Sequence, residues 1–415
     1  MRQPLLPVIA GLATLVLAAC AAGTGTNVVP QDQARYVQTG RALPAQSPTP
    51  SPAPTAAPGG LLGGLIGGLL GGVLNTLCSA TSTSANCGVQ QNTKYPATKT
   101  YSAGITANDI AAAYALPAAS GAVPNGPVVA IVDAYDTPNA EADLRVYRAA
   151  FGLPACTTAN GCFKRVAPAG SGGLLGTGLL ASTSQNASWN AETMLDLEMA
   201  SAACPSCRLM LVESANNDIA ALAAAVVTAA SYKPGAISNS FGIPESSETA
   251  SLAAKWYHPG IPIAASAGDA GKPTFPATSK DVIAVGGTFL AKLPGTPRGW
   301  VEAPWVATGA GCSANDARPS WQTDSYGCTT RAVADVSAVA AANPGIAMYD
   351  SVSGGWIVVA GTSASAPIVA ALFAQAHDYP SGATGAASVY ARASALNELP
   401  GGRYTQGTPN GLGAF

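Results

Sequence analysis

Five short runs of the chain are apolar with little alternation, and helical stretches lie between them. Val128–Ala134 reads Val-Val-Ala-Ile-Val-Asp-Ala, and Arg208–Glu213, Ala236–Ser240, Pro262–Ser266 and Val282–Val285 are of the same kind. A strand with one wet face would alternate apolar and polar positions, so these runs predict strands buried on both faces. Asp109–Tyr114, Ala191–Ala203, Ile219–Tyr232 and Ala364–His377 predict helices. Strand–helix alternation of this kind predicts a parallel sheet covered on both sides, and no internal repeat interrupts it.

The N-terminal quarter has a different texture. Met1-Arg2 leads into an apolar stretch, Leu5 to Leu17, too short for a comfortable membrane span. It ends Leu17-Ala18-Ala19-Cys20, which resembles a bacterial lipobox. Residues 1–20 therefore read as a lipoprotein signal peptide, with Cys20 diacylated and tethering the protein to a membrane outside the cytoplasm. Ser47–Pro54 places proline at every second position and predicts an extended spacer. Gly59–Leu74 repeats paired glycines and paired aliphatics, and each glycine costs a helix roughly 1 kcal/mol relative to alanine. Residues 21–95 are thus expected to be a linker, and residues 96–415 the folded domain.

Composition narrows the partners. Only 10% of residues are charged and the net charge is −2, so there is no electrostatic footprint for nucleic acid. Of nine cysteines, Cys20 is assigned to the lipobox and eight remain in four close pairs: Cys78/Cys87, Cys156/Cys162, Cys204/Cys207 and Cys312/Cys328. In an exported chain such pairs predict local disulfides. The Cys204-Pro205-Ser206-Cys207 spacing also fits a redox motif, but a thioredoxin-like context is absent. No His–Cys grouping has zinc spacing.

The chemistry-bearing segment is Gly361-Thr362-Ser363-Ala364-Ser365-Ala366-Pro367, a small-residue turn opening into the apolar run Ile368–Ala374. Ser363 at a helix N-terminus would have N–H groups and a positive dipole end beside a developing oxyanion. Its base is not a histidine: the chain has two, His258 in a loop and His377 at the far end of the Ser363 helix. Glu192 and Asp196, four residues apart on one predicted helix, share a face. Two carboxyls that close cannot both ionise freely, so they would share a proton. Asp269 ends a buried-strand run in Ser266-Ala267-Gly268-Asp269-Ala270-Gly271, where a parallel strand delivers functional groups.

In order along the chain, these motifs resemble the sedolisin (serine-carboxyl peptidase) family, relatives of subtilisin. The set comprises E-x-x-x-D at Glu192 and Asp196, S-N-S-F-G at Ser238–Gly242, S-A-G-D-A-G at Ser266–Gly271, and Phe275-Pro276-Ala277. Val285-Gly286-Gly287-Thr288, Asp335-Val336-Ser337-Ala338 and G-T-S-A-S-A-P follow. The resemblance runs from about Tyr101 to Phe415. It implies an α/β fold, subtilisin-like and doubly wound, with a mainly parallel sheet and helices on both faces. It also implies Ser363 as nucleophile, Glu192 as general base and acid, Asp196 orienting Glu192, and protonated Asp269 donating to the oxyanion. Ser238 and Ser240 would form the extended edge that binds substrate backbone. Asp133 ends the strand where subtilisins hold their triad aspartate; here it is expected to close the strand by bonding loop amides.

The resemblance is incomplete in two places. Sedolisins carry a folded pro-domain, whereas low-complexity sequence fills the space between Cys20 and this domain, so restraint by such a segment is not expected. The family's calcium loop is aspartate-led, but Leu396–Gly413 has Glu398 and Arg403 and no aspartate, a poor match for Ca²⁺. The residues themselves call for no cofactor, and the family resemblance implies Ca²⁺ only through this poorly matched ligand loop. The reading is a monomeric serine-carboxyl endopeptidase acting on proteins or peptides at acid pH, lipid-anchored in the bacterial envelope. A catalytically silent envelope lipoprotein that binds through the same fold is the alternative.

Overall fold

The computed structural model describes residues 74–76, 83–117, 125–167, 186–323, 327–397 and 399. The lipobox with Cys20, the Pro-rich spacer and most of the Leu396–Gly413 loop lie outside them. Of the four cysteine pairs, Cys156–Cys162, Cys204–Cys207 and Cys312–Cys328 are disulfides; Cys78, and with it the fourth pair, lies outside the described residues.

Every expected core strand forms. The main sheet runs Phe163–Val166, Arg208–Ser214, Val128–Ala134, Ala236–Asn239, Ile263–Ser266, Ile283–Lys292 and Trp300–Pro304, with Val336–Val339 also pairing onto Ile283–Lys292. All of these pairings are parallel except the antiparallel edge formed by Trp300–Pro304. Non-alternating sequence follows from burial on both faces: Val129, Ala130, Ile131 and Val132 are all inaccessible to solvent. The run expected to end at Val285 continues to Lys292, because it meets three neighbours in succession along its length.

Four helices occupy the expected places as Ala107–Ala113, Ala187–Ala203, Ile219–Ser231 and Thr362–Ala376. Ala187–Ala203 starts at Asn186, whose side chain accepts from the Ser188 and Trp189 amides, rather than at Asn190. From Trp189 to Ala203 every residue is buried. Such a helix is walled in on all sides; it packs directly on the Ser363 helix and on the sheet. A second sheet joins Leu74–Thr76, Gln90–Asn92, Gly355–Ala360 and Ile346–Asp350. Two of those strands, and Asn86–Cys87, lie inside the stretch expected to be linker. Ordered structure therefore begins before position 96, because short polar segments find strand edges to pair with.

Asp335 holds two segments together. Its Oδ2 accepts from the Ala284 amide at 2.7 Å, and its carboxylate is forked by Arg331, with Nη1 to Oδ1 at 2.6 Å. Both side chains are fully buried. Arg331→Met leaves the carboxylate without its cation and is expected to destabilise the fold by about 3–5 kcal/mol. Denaturant unfolding of the variant beside the parent checks it.

Candidate active site

Ser363 is the second residue of the Thr362–Ala376 helix, which Gly361 opens at φ 138°, a backbone angle that favours glycine. Pro367 lies inside this helix and has no N–H, so the Ser363 carbonyl lacks its helical partner. Ser240 supplies one: its hydroxyl donates to that carbonyl at 3.2 Å. In return, the Ser363 hydroxyl donates to the Ser240 carbonyl at 3.3 Å. Ser240 thus clamps the turn that carries Ser363. Ser238 sits two residues deeper, paired with Ile131 on one side and Ala264 on the other. It is interior to the sheet, and the open edge is Phe241–Gly242.

Asp269 is buried against the same turn. Its Oδ1 accepts from the Thr362 amide at 2.7 Å and from the Thr362 hydroxyl at 2.9 Å. Oδ2 is buried without a hydrogen-bond partner. Burial lifts the Asp269 carboxyl to about 6, and the Thr362 bonds only partly oppose this. Below that value Oδ2 carries a proton and can donate.

Glu192 and Asp196 come off the walled-in helix, and Asp133 ends the adjoining central strand. All three are fully buried. Burial raises Glu192 well above the ordinary carboxylate range, and the Asp133 charge raises it further. The nearby Ser363 hydroxyl and the Val89 amide bond pull it partly back. Asp196 is raised by burial, then by Asp133 and Glu192, with the Ser240 hydroxyl opposing. Burial lifts Asp133 to about 7, which the Thr193 hydroxyl only partly offsets. Asp133 thus joins the expected pair through charge, but no hydrogen bond links the three carboxyls, so the expected shared proton between Glu192 and Asp196 has no contact to carry it here. Asp133 does not bond loop amides as expected: no backbone amide among the described residues reaches either oxygen. His258 bonds the Lys255 carbonyl in its loop, and His377 caps the end of the Ser363 helix.

An unforeseen segment crosses this cluster. The Val89 amide donates to Glu192 Oε2 at 2.8 Å. A Cβ on Gly88 would stand 2.5 Å from Ser363 Oγ and 2.7 Å from Asp269 Oδ2. A Cβ on Gly361 would stand 2.3 Å from the Gly88 carbonyl oxygen and 3.1 Å from Asp269 Oδ2. Ser363, Glu192 and Asp269 thus face one stretch of extended backbone. The pattern that carries it, Asn86-Cys87-Gly88-Val89-Gln90, has no apolar period to announce it.

No group of three or more His, Cys, Asp or Glu able to hold a metal ion occurs among the described residues. Most of Leu396–Gly413, where the family resemblance would place Ca²⁺, lies outside the described residues.

Fold and site together define a subtilisin-like α/β protein in which carboxyl groups stand where a histidine would be expected beside the serine. The resemblance to the sedolisin family is borne out by comparison. Kumamolisin from Bacillus sp. (strain MN-32) is 32% identical over 216 residues, covering 44% of this chain and 39% of kumamolisin. The chain therefore spans about two fifths of that relative's length. Pseudomonas sedolisin, a serine-carboxyl proteinase solved with two molecules of pseudo-iodotyrostatin, superposes with a TM-score of 0.61 at 21% identity. It covers 76% of this chain and 96% of its own, so the fold is shared over about three quarters of this chain. No family model matches the chain.

These carboxyls make stability depend on pH in one direction. A group whose folded pKa is raised adds stability that is complete below its unfolded value and is lost as pH rises through the folded value. Asp133, Glu192, Asp196, Glu198, Glu213 and Asp269 are all raised, whereas Asp109, beside Lys292, is lowered. The melting temperature is expected to fall between about pH 4, the unfolded carboxyl range, and the values of about 6–7 for Asp269, Asp133 and Glu213. Calorimetry of Ser363→Ala, which removes self-digestion, measures this.

Proposed function

We propose that the chain is a serine-carboxyl endopeptidase that hydrolyses peptide bonds through an acyl-enzyme at acid pH. The reading is carried by the convergence of Ser363 Oγ, Glu192 Oε2 and Asp269 Oδ2 on a single peptide backbone. Ser363 attacks the carbonyl carbon and passes its proton to Glu192, which a backbone amide donating to it, as Val89 does, leaves able to accept it. Asp269 Oδ2–H donates to the oxyanion, supported by the dipole of the Ser363 helix. Glu192 then protonates the leaving nitrogen, and a water takes the reverse route through the ester. Export and tethering through a lipidated Cys20, placing a monomer on the outer side of a membrane, complete the proposal. Their support is the Leu17–Cys20 motif and the disulfides.

Ser363→Ala is expected to abolish hydrolysis of a denatured protein with the fold retained, since one hydroxyl is lost from a turn of small residues. Turnover by a clean preparation of the variant would sink the assignment, and a folded parent without turnover would favour the silent binder.

Glu192→Gln removes the group that moves the proton, and such transfer typically contributes roughly 10²–10⁴-fold in rate. The loss should appear in kcat.

The pH profile of the parent is expected to fall as pH climbs through about 6, where Asp269 loses its proton. Asp269→Asn supplies a donor that does not titrate and should keep more of its residual rate above that point. Asp269→Ala has no donor and should lose roughly 10²–10³-fold. An optimum above neutrality with Asp269→Ala nearly as active would reduce Asp269 to a turn residue.

A further inference from the structure

Three segments that carry no catalytic group meet around a cavity of about 10 Å³. Glu245 reaches it from the chain after Phe241–Gly242, and Thr278 from the turn after Phe275. Asn315 and Asp316 reach it from the strand Gly311–Ala317. A space of this size holds one occupant about as large as a water. Thr278 lines the cavity and is fully buried, yet its hydroxyl has no hydrogen-bond partner. A buried hydroxyl in that state is costly unless something in the cavity takes it up. The acids beside it are held in place by neutral donors. Glu245 Oε1 accepts from the Ser313 hydroxyl at 2.6 Å, and Oε2 from the Ala314 amide at 2.7 Å. Asp316 Oδ2 accepts from the Lys280 amide at 2.7 Å. Asn315 uses its Nδ2 on the Ser246 carbonyl at 3.1 Å, so its Oδ1 is left to accept. Neither carboxylate pairs with a cation among the described residues, and the Lys280 ammonium turns to Asp281 instead.

We propose that this cavity is a Ca²⁺ site formed by Glu245, Asp316, Asn315 and Thr278, with water completing the shell. With two acids it is not a three-acid centre, and neutral oxygens make up the difference. Every side-chain donor is an oxygen, which suits a hard cation and not Zn²⁺ or Cu²⁺. Donors on three irregular segments suit the flexible shell of roughly six to eight oxygens around Ca²⁺ better than the strict octahedron of Mg²⁺. The ion supplies the positive charge that Glu245 and Asp316 lack. The Thr278 hydroxyl then meets the ion or a water bound to it. None of these residues lies in Leu396–Gly413, so this place is separate from the loop where the family resemblance would put Ca²⁺. Its position also says what an ion there holds together. Ile243 and Phe275 exchange both backbone hydrogen bonds, at 3.0 and 2.9 Å. Glu245 lies just past Ile243, and Thr278 just past Phe275. An ion between them fastens the open edge Phe241–Gly242 to the segment that follows Asp269. It ties both to the paired strands Gly311–Ala317 and Thr330–Val333, which the Cys312–Cys328 disulfide also joins.

The test uses the full chain carrying Ser363→Ala, freed of metal by a chelator and held near about pH 6, above the ordinary carboxyl range. Its melting temperature should rise as calcium chloride is added, because an ion that binds only the folded state stabilises it. Half of the rise should come in the range of roughly 10⁻⁴–10⁻³ M, as for extracellular Ca²⁺ modules. Magnesium chloride at the same concentrations should do far less. Asp316→Asn keeps an oxygen for the Lys280 amide and removes the charge. It should raise the half-saturating Ca²⁺ concentration roughly 10-fold or more, since affinity follows the count of charged ligands. Thr278→Val keeps the shape and removes the hydroxyl. Without metal it should melt no lower than its parent, because an unpaired buried hydroxyl contributes no bond to lose. Its response to Ca²⁺ should shrink. A threonine with a purely structural role would do the reverse, melting lower without metal and responding in full. A parent whose melting temperature ignores Ca²⁺ overturns the site and leaves the cavity to water. A response that either variant retains in full puts the ion elsewhere and also overturns it. An equal response to Mg²⁺ overturns the assignment to Ca²⁺. If Asp316→Asn does not fold, Thr278→Val decides alone.

Discussion

Carboxyl groups buried without a cation set the terms for the rest of this molecule. An ionised carboxylate taken out of water costs far more than a fold can spare unless it is paired, or unless it keeps its proton. The chain uses both remedies, and separates them by purpose. Asp335 has Arg331, Glu213 has Arg165 and Glu302 has Arg298, so these acids fasten segments together as ion pairs. Asp133, Glu192, Asp196 and Asp269 have no such partner among the described residues. Each is pushed toward its protonated form by burial first, Glu192 and Asp196 also by the Asp133 charge, and Asp133 by that of Glu213. A cation beside any of them would lock the negative form and end proton exchange.

That arrangement requires a helix buried on every side, which dictates the packing around it. Ala191, Ala200, Ala202 and Ala203 on the Glu192 helix, and Ala364, Ala366, Ala370 and Ala371 on the Ser363 helix, are all buried small residues. Long side chains there would hold the two helices apart and let water in. The turn before Ser363 is fixed by a chain of substitutions for missing backbone bonds. Pro367 deprives the Ser363 carbonyl of its donor, the Ser240 hydroxyl replaces it, and Asp269 occupies the Thr362 amide. Asp269 and Ser363 are thereby referenced to one helical turn.

The parallel core was legible because doubly buried strands leave a mark in sequence that needs no partner to interpret. Val128–Ala134 and the helices after Ile219 and before His377 fall within a residue or two of their expected ends. Strands that depend on a neighbour were not legible. Gly355–Ala360 and Ile346–Asp350 are extended through antiparallel pairing, and Asn86–Cys87 is two residues held by an edge far away in sequence. Ser363, Glu192, Asp196 and Asp269 were readable as motifs. Asp133 was visible at its strand end but its neighbours were not, since only the fold brings the central strand and the Glu192 helix together. Ser238 and Ser240 looked alike in sequence and differ in space, because strand pairing ends between them.

In the proposed mechanism, the contact between Val89 and Glu192 lets one carboxyl serve as base and acid in a single turnover. An intact amide has an N–H to give and no basic lone pair, so it favours the ionised carboxylate; the Val89 bond is one of the two influences lowering Glu192 against its burial. In that mechanism a peptide in the cleft makes Glu192 a better acceptor for the Ser363 proton. Once the carbonyl carbon becomes tetrahedral, conjugation is lost and the same nitrogen gains a basic lone pair. The hydrogen bond can then reverse between the same two atoms, with Glu192 as donor, and the carbon–nitrogen bond breaks as the proton crosses. A fixed cation at Glu192 would favour the first half of this exchange and oppose the second. Neighbouring acids favour the second half, and the peptide amide itself supplies what the first half needs.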